Sequence, residues 1–196
     1  DLLYCIPHNT ISAIAGGADL LFVASIYNRM QYRIIAGPGI DKMEQLRGKV
    51  VGVARLHDVA HFYLRLALKR FGMSDRDVQM AAVGGQNDRV LALKNGRVAA
   101  TILNPANALV LEKSGFKTIL DIDSLNFPVI GNAVAARRAM VKERRPVIVR
   151  FVRALAASMK KIQDDPDLSK KVLARNLRLQ DKAIIEENYR FNSGKN

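Results

Sequence analysis

Apolar and polar positions along the chain follow two periods. Short apolar runs fit buried strands, and between them lie stretches with apolar residues every three or four positions, the spacing of a helix. The strand-like runs are Leu2–Ile6, Leu20–Ser25, Tyr32–Ala36, Val50–Ala54, Val78–Val83, Val98–Leu103, Lys117–Leu120 and Val129–Ala135. The first helical stretch is short, with Asn9 or Thr10 as its cap and Gly16-Gly17 as its stop. A second short helix covers Asp41–Leu46. Asp58–Phe71 carries Phe62, Leu66 and Ala67 on one stripe and ends at Gly72. Asp88–Lys94 closes at Asn95-Gly96, and Pro105–Ser114 has proline at a favourable first position with Gly115 beyond its end. After Ala135 the alternation stops, and three helices follow without a strand between them: Arg144–Gln163, Pro166–Asn176 and Lys182–Tyr189.

Strand–helix alternation implies an α/β fold with mostly parallel sheets flanked by helices. A βαβαβαβ block over roughly 40–125 is bounded by two interruptions, one near Ala36–Pro38 with Gly37-Pro38-Gly39, the other near Asn126–Pro128. We therefore expect a nested lobe at 38–126 and a discontinuous outer lobe from 1–37 and 127–196. A chain that crosses twice between lobes makes a hinge, the layout of proteins that close on a ligand. The opening Asp1-Leu2-Leu3 reads as mid-strand, so the outer lobe is expected to be incomplete.

Composition narrows the classes. Apolar residues make 49% of the chain and charged residues 25%, which suits a packed core and excludes a disordered chain. No apolar run approaches a membrane span, and no signal-peptide pattern opens the chain. The one cysteine, Cys5, sits in an apolar run and reads as a buried small hydrophobe; it excludes an internal disulfide and a cysteine-cluster zinc site. The net charge of +13 is concentrated at the C-terminal end: residues 137–196 hold 16 Lys/Arg against 7 Asp/Glu, whereas 1–136 hold 15 against 11. The excess falls on helices at solvated spacing with no interleaved aromatic platform, so it reads as a basic face and no nucleic acid is expected as partner. An anionic membrane surface or an acidic docking partner are the other uses open to such a face.

In open parallel sheets ligands bind beyond the carboxyl ends of the strands, where helix N-termini present free N–H groups. Each loop that leaves a strand and opens a helix is therefore a candidate. His57-Asp58 follows Val50–Ala54, with Asp58 as helix cap. Gly84-Gly85-Gln86 lets backbone approach a ligand closely and offers an amide. Asn104 precedes Pro105, and Asn9-Thr10 follows the first strand. Gly131-Asn132 lies within the expected returning strand, where glycine marks close backbone approach. Each also admits an ordinary reading as a cap, a turn or a solvated loop. His57 and His61 are spaced i, i+4, which suits a metal pair, but His57 precedes the cap and no third ligand is evident. No nucleophile elbow, Walker loop, H-E-x-x-H or C-x-x-C occurs. A non-enzyme with no cofactor is expected.

Several segments together carry a resemblance: Gly17-Ala18-Asp19-Leu20; Asn28-Arg29 before Tyr32-Arg33-Ile34-Ile35-Ala36; Leu46-Arg47-Gly48-Lys49-Val50-Val51-Gly52-Val53 with Leu64–Leu68 and Gly72; Val83-Gly84-Gly85-Gln86 with Arg89, Ala92-Leu93 and Gly96; Gly115-Phe116-Lys117; and Arg150–Leu155. Their order resembles the nitrate/sulfonate/taurine/bicarbonate-type solute-binding proteins of ABC importers, which include thiamine-pyrimidine binders. The resemblance implies a two-lobed type-II periplasmic-binding fold, a periplasmic or extracytoplasmic location, a small polar or anionic ligand, an ABC permease as partner, and a monomer for the intact protein. Carried over by position, Asn9-Thr10, His57-Asp58, Gly84-Gly85-Gln86 and Asn104-Pro105 line the cleft. The chain departs from the family at His57-Asp58, where small hydroxyl residues or glycine are usual, and in its start, which implies that about 60–80 residues of early strand–helix units are absent. The same fold serves effector-sensing domains of LysR-type regulators, phosphoribosyltransferases and pyrimidine-synthesising enzymes, so fold by itself leaves those functions open.

Overall fold

The computed structural model describes residues 2–194; Asp1, Lys195 and Asn196, all within the expected outer lobe, lie outside the described residues. The strands form two sheets. In the nested sheet the order is β5 (Gln79–Ala82), β4 (Val50–Val53), β6 (Ala100–Leu103), β3 (Arg33–Ala36) and β7 (Lys117–Asp121). β4 runs parallel to β5 and β6, while β3 runs antiparallel to β6 and β7. The outer sheet has β8 (Ala133–Arg137) at its centre, antiparallel to both β1 (Leu2–Cys5) and β2 (Leu20–Ser25). The nested sheet is thus mixed and the outer one antiparallel, because each contains one strand that arrives from the other lobe and runs against its neighbours.

The nested sheet is covered on both faces. Adjacent residues of a strand point to opposite sides, and β3 shows the result. Ile34 joins Leu64, Leu68 and Ile102 under α2 (Val59–Arg70), while Ile35 joins Val90, Leu93, Leu103 and Leu111 under α3 (Gln86–Lys94) and α4 (Pro105–Glu112). The outer sheet carries α1 (Pro7–Ala15) after β1, and α5 (Arg138–Glu143) and α6 (Arg145–Asp164) after β8. α7 (Pro166–Leu177) leads to α8 (Lys182–Ser193), which turns back and packs on α4.

Three placements differ from the sequence reading. β3 belongs to the nested sheet, so the outward crossing falls at 26–32 and not at Gly37-Pro38-Gly39. The return strand starts at Ala133 and not at Val129. Residues 129–131 satisfy their backbone against the outward crossing instead: Gly131 N–H donates to the Tyr27 carbonyl at 2.7 Å, Val129 N–H to Asn28 at 3.4 Å, and Ile26 N–H to Asn132 at 2.8 Å. The two crossings therefore run side by side. Finally, α8 docks on the nested lobe, tied by Arg33–Glu187 at 2.9 Å and Lys113–Asp181 at 2.6 Å.

Candidate functional site

The paired crossings floor a cavity of about 1070 Å³ between the lobes. One wall comes from the outer lobe: Tyr4 of β1 and His8, Ile11 and Ser12 of α1. The opposite wall comes from the start of α2, with His57, Asp58, His61 and Phe62, and from Asn104 at the start of α4. The crossings contribute Tyr27, Gln31, Tyr32 and Asn132. Met159 and Gln163 of α6 and the segment Phe191–Gly194 at the end of α8 close the remaining side.

The helix-start wall is locally ordered. Asp58 caps α2, and its Oδ1 accepts the His61 N–H at 2.9 Å. His57 sits in the left-handed region at φ 66°, a conformation non-glycine residues adopt rarely and at a cost. That turn aims the His57 N–H at Nδ1 of His61, at 3.1 Å. Burial, then the nearby His57 and Arg65, push the His61 pKa down, with opposing pulls from Asp75 and Asp58. His61 is thereby held neutral. With Nδ1 accepting, its proton rests on Nε2 as a fixed donor.

Aromatic side chains give the cavity its apolar body. Tyr32 meets Tyr63 edge to face with centroids 5.4 Å apart, and Tyr27 meets Phe191 at 6.5 Å. Burial raises the pKa of Tyr27, Tyr32 and Tyr63, so all three hydroxyls stay protonated. Asn132 Nδ2 donates to the Tyr4 hydroxyl at 2.8 Å and links the floor to the outer wall. Two buried polar atoms on cavity residues, His8 Nδ1 and Gln31 Oε1, have no hydrogen-bond partner among the described residues. Such a cavity offers stacking surfaces with a few fixed polar groups, the usual make-up of a small-molecule site.

Of the residues singled out from sequence, His57, Asp58, Asn104 and Asn132 face this one cavity. Asn9, Thr10, Gly84, Gly85 and Gln86 lie outside its lining. The reason at α1 is a shift of the helix start: the helix begins at Pro7 without a side-chain cap, so His8, Ile11 and Ser12 share the inward face while Asn9 is exposed and Thr10 is buried. At α3, Asp88 Oδ2 accepts the Gly85 N–H at 2.8 Å and Gln86 Oε1 accepts the Asn104 N–H at 3.3 Å, so the loop is occupied with its own neighbours. Sequence reasoning did not single out Tyr27, Tyr32 and Tyr63 or the end of α8. Tyr27 and Tyr32 could have been suspected from their position at a crossing; nothing in the sequence marks Tyr63 of α2 or the end of α8 as a cavity wall. Among the described residues, no three His, Cys, Asp or Glu side chains gather to hold a metal ion.

Comparison with known proteins bears on this geometry. The family model described as NMT1/THI5 like matches residues 6–169. No curated protein matches the chain in sequence. Among solved structures, the periplasmic aliphatic sulphonate binding protein SsuA of Escherichia coli aligns over 96% of this chain with a TM-score of 0.83 and 21% identity. The alkanesulfonate-binding protein SsuA of Xanthomonas axonopodis pv. citri, bound to MOPS, aligns over 96% with a TM-score of 0.80 and 22% identity. A Candida albicans gene product with the generic periplasmic binding protein fold aligns over 97% with a TM-score of 0.69 and 14% identity. The fold is therefore that of the periplasmic binding proteins. The chain spans 61%, 65% and 62% of the lengths of these three proteins.

Proposed function

The chain belongs to the NMT1/THI5-like family, and from that membership we propose that it forms the ligand-holding part of an extracytoplasmic solute-binding protein of an ABC importer. It takes a small polar or anionic organic molecule into the cleft between its lobes, without catalysis, and passes it to a membrane permease; the intact protein works as a monomer. The expected lobes, 38–126 against the two flanking segments, are part of this proposal, with the boundaries moved to the paired crossings. The observation that carries the reading is the cavity itself. Its walls belong to different sheets, and its floor is the double crossing about which they can move. The fixed Nε2 donor of His61, the tyrosine hydroxyls and the carboxylate of Asp58 suit a ligand that both donates and accepts hydrogen bonds.

Titration calorimetry with small-angle scattering tests this on a panel of alkanesulfonates, amino acids, short carboxylates and hydroxylated pyrimidines. At least one class is expected to bind at micromolar concentration and to reduce the radius of gyration. A panel in which nothing binds and nothing compacts the protein would refute a solute-binding role.

A further inference from the structure

The basic excess of the C-terminal helices meets exposed apolar side chains on α7, a helix with two unlike faces. Its inner face is packed. Ser169 Oγ donates to the Ile162 carbonyl at 3.2 Å, Lys170 pairs with Glu186 at 2.6 Å, and Leu173 and Ala174 are half-buried where α8 lies against the helix. Its outer face has no cover. Leu168 and Val172, one turn apart, are 45% and 48% exposed. Lys171 and Arg175, also one turn apart, are exposed beside them, and neither makes an ion pair among the described residues. At 3.6 residues per turn the four side chains fall within about a third of the helix surface. Arg150 and Arg153 on the adjoining α6 are exposed and unpaired in the same way, whereas its Lys160 and Lys161 are held by Asp164 at 2.9 Å and Asp165 at 2.7 Å. The free cations therefore lie where the apolar strip is.

We propose that the outer face of α7 docks on an anionic lipid bilayer, with Lys171 and Arg175 at the headgroup phosphates and Leu168 and Val172 at the acyl boundary. An apolar strip flanked by cations suits a helix that lies in the plane of such a surface. Long Lys and Arg stems let the charge stay among the headgroups while the aliphatic pair sits deeper. No helix among the described residues is long and apolar enough to cross a membrane, so the contact is with the surface only. The strip fits lipid better than an acidic protein. It holds two aliphatic side chains and no aromatic residue, too little to form the buried centre of a protein interface. The inference needs no ligand in the cavity and goes beyond the solute-binding reading. Taken with that reading, it keeps the cleft near the membrane that the solute crosses.

The test is sedimentation with vesicles of phosphatidylcholine alone and of phosphatidylcholine mixed with phosphatidylglycerol. The wild type is expected to bind the anionic vesicles at least about tenfold more strongly than the neutral ones, and to release as salt rises toward about 0.5 M. The double change Lys171→Glu and Arg175→Glu should remove at least about tenfold of that binding at unchanged melting temperature, because both side chains are solvated. Leu168→Ser with Val172→Ser should weaken binding about threefold or more and leave its salt dependence as it is. Lys94→Glu with Arg97→Glu makes the same charge change on exposed residues of the nested lobe and should bind as the wild type does. If that control loses as much binding as the α7 pair, or if the serine variant binds like the wild type, net charge alone attracts the protein and the docking face is overturned. Equal binding to both vesicle types, or to neither, overturns it as well. Capture by polyglutamate without binding to anionic vesicles would assign the face to an acidic protein instead.

Discussion

In the nested lobe, Ile34, Ile35, Val51, Leu64, Leu68, Ile102 and Leu111 are all 0% exposed, and helices close both faces of the sheet. In the outer lobe the central strand β8 is just as buried, but through small residues, Ala133-Val134-Ala135-Ala136. Around that strand the cover is thin. Leu3, Tyr4 and Ile11 are exposed, and α6, 20 residues long with a clear apolar stripe, buries only Ile148. The two lobes use the same elements and differ in how much apolar surface they remove from water. Because that removal is the main stabilising contribution, the nested lobe holds most of the packed core among the described residues. The cavity lies between them, so one wall rests on a closed core and the other on a sheet with thinner cover.

Substitution tests this contrast most strongly in the cores. Leu64→Ala, in the centre of the nested core, should destabilise the protein by about 2–5 kcal/mol. Phe151→Ala, on an α6 residue 38% exposed, should cost less than about 1 kcal/mol despite the larger side chain removed. Urea unfolding of both variants measures the difference, and equal costs would break the comparison.

The crossing comes next. A Cβ on Gly131 would stand 2.1 Å from Tyr27 Cδ2 and 2.5 Å from the Tyr27 carbonyl. Gly131→Ala must therefore part the two crossings, at about 1–3 kcal/mol by analogy with overpacked cores. It should also weaken ligand binding, because Tyr27 and Asn132 share the cavity floor. A variant as stable as the wild type would mean that the crossings move apart freely.

Hydrogen exchange reads the same contrast without mutation. Amides of α2, which buries Ala60, His61, Tyr63, Leu64, Ala67 and Leu68, should exchange at least about tenfold more slowly than those of α6. Matching protection in the two helices would show that the outer lobe is as cooperative as the nested one.

The smallest expected effect is on pH. The His61 pKa in the fold lies below its ordinary 6.5. Between those two values the unfolded chain binds the proton and the native state does not, so stability falls as pH drops below about 6.5 and the loss levels off once the folded-state pKa is passed. His61→Gln should flatten this part of the stability profile, measured by urea midpoints from pH 7.5 to pH 5. A profile of unchanged slope would remove His61 as its source.

Local chemistry made much of this legible. The nested strands are continuous apolar runs between Gly and Pro punctuation, and Asp58 and Asn104 are caps that side-chain chemistry alone identifies, with acceptor bonds of 2.9 Å to His61 and to Asn107. Where the reading slipped, local pattern and long-range pairing disagreed. Pro128-Val129-Ile130 is apolar enough for a strand, but its partner is the crossing at 27–28. Pro7 starts α1 two residues before the polar pair expected to cap it, which turned Asn9 and Thr10 away from the cavity and His8 and Ser12 toward it.

The sequence by itself determined the alternation of strands and helices through the nested block and the caps of α2 and α4, because each depends on residues close together in the chain. Tertiary structure alone decided which sheet β3 joins, where α8 docks, and which side chains share the cavity. These depend on pairs far apart in sequence, such as Arg33 with Glu187 and Tyr4 with Asn132. Arg89 shows the limit most sharply. In the sequence it is one charged residue among the 31 Lys and Arg of the chain. Only packing takes it out of water, leaving it 2% exposed with no hydrogen-bond partner at Nε and Nη1 among the described residues.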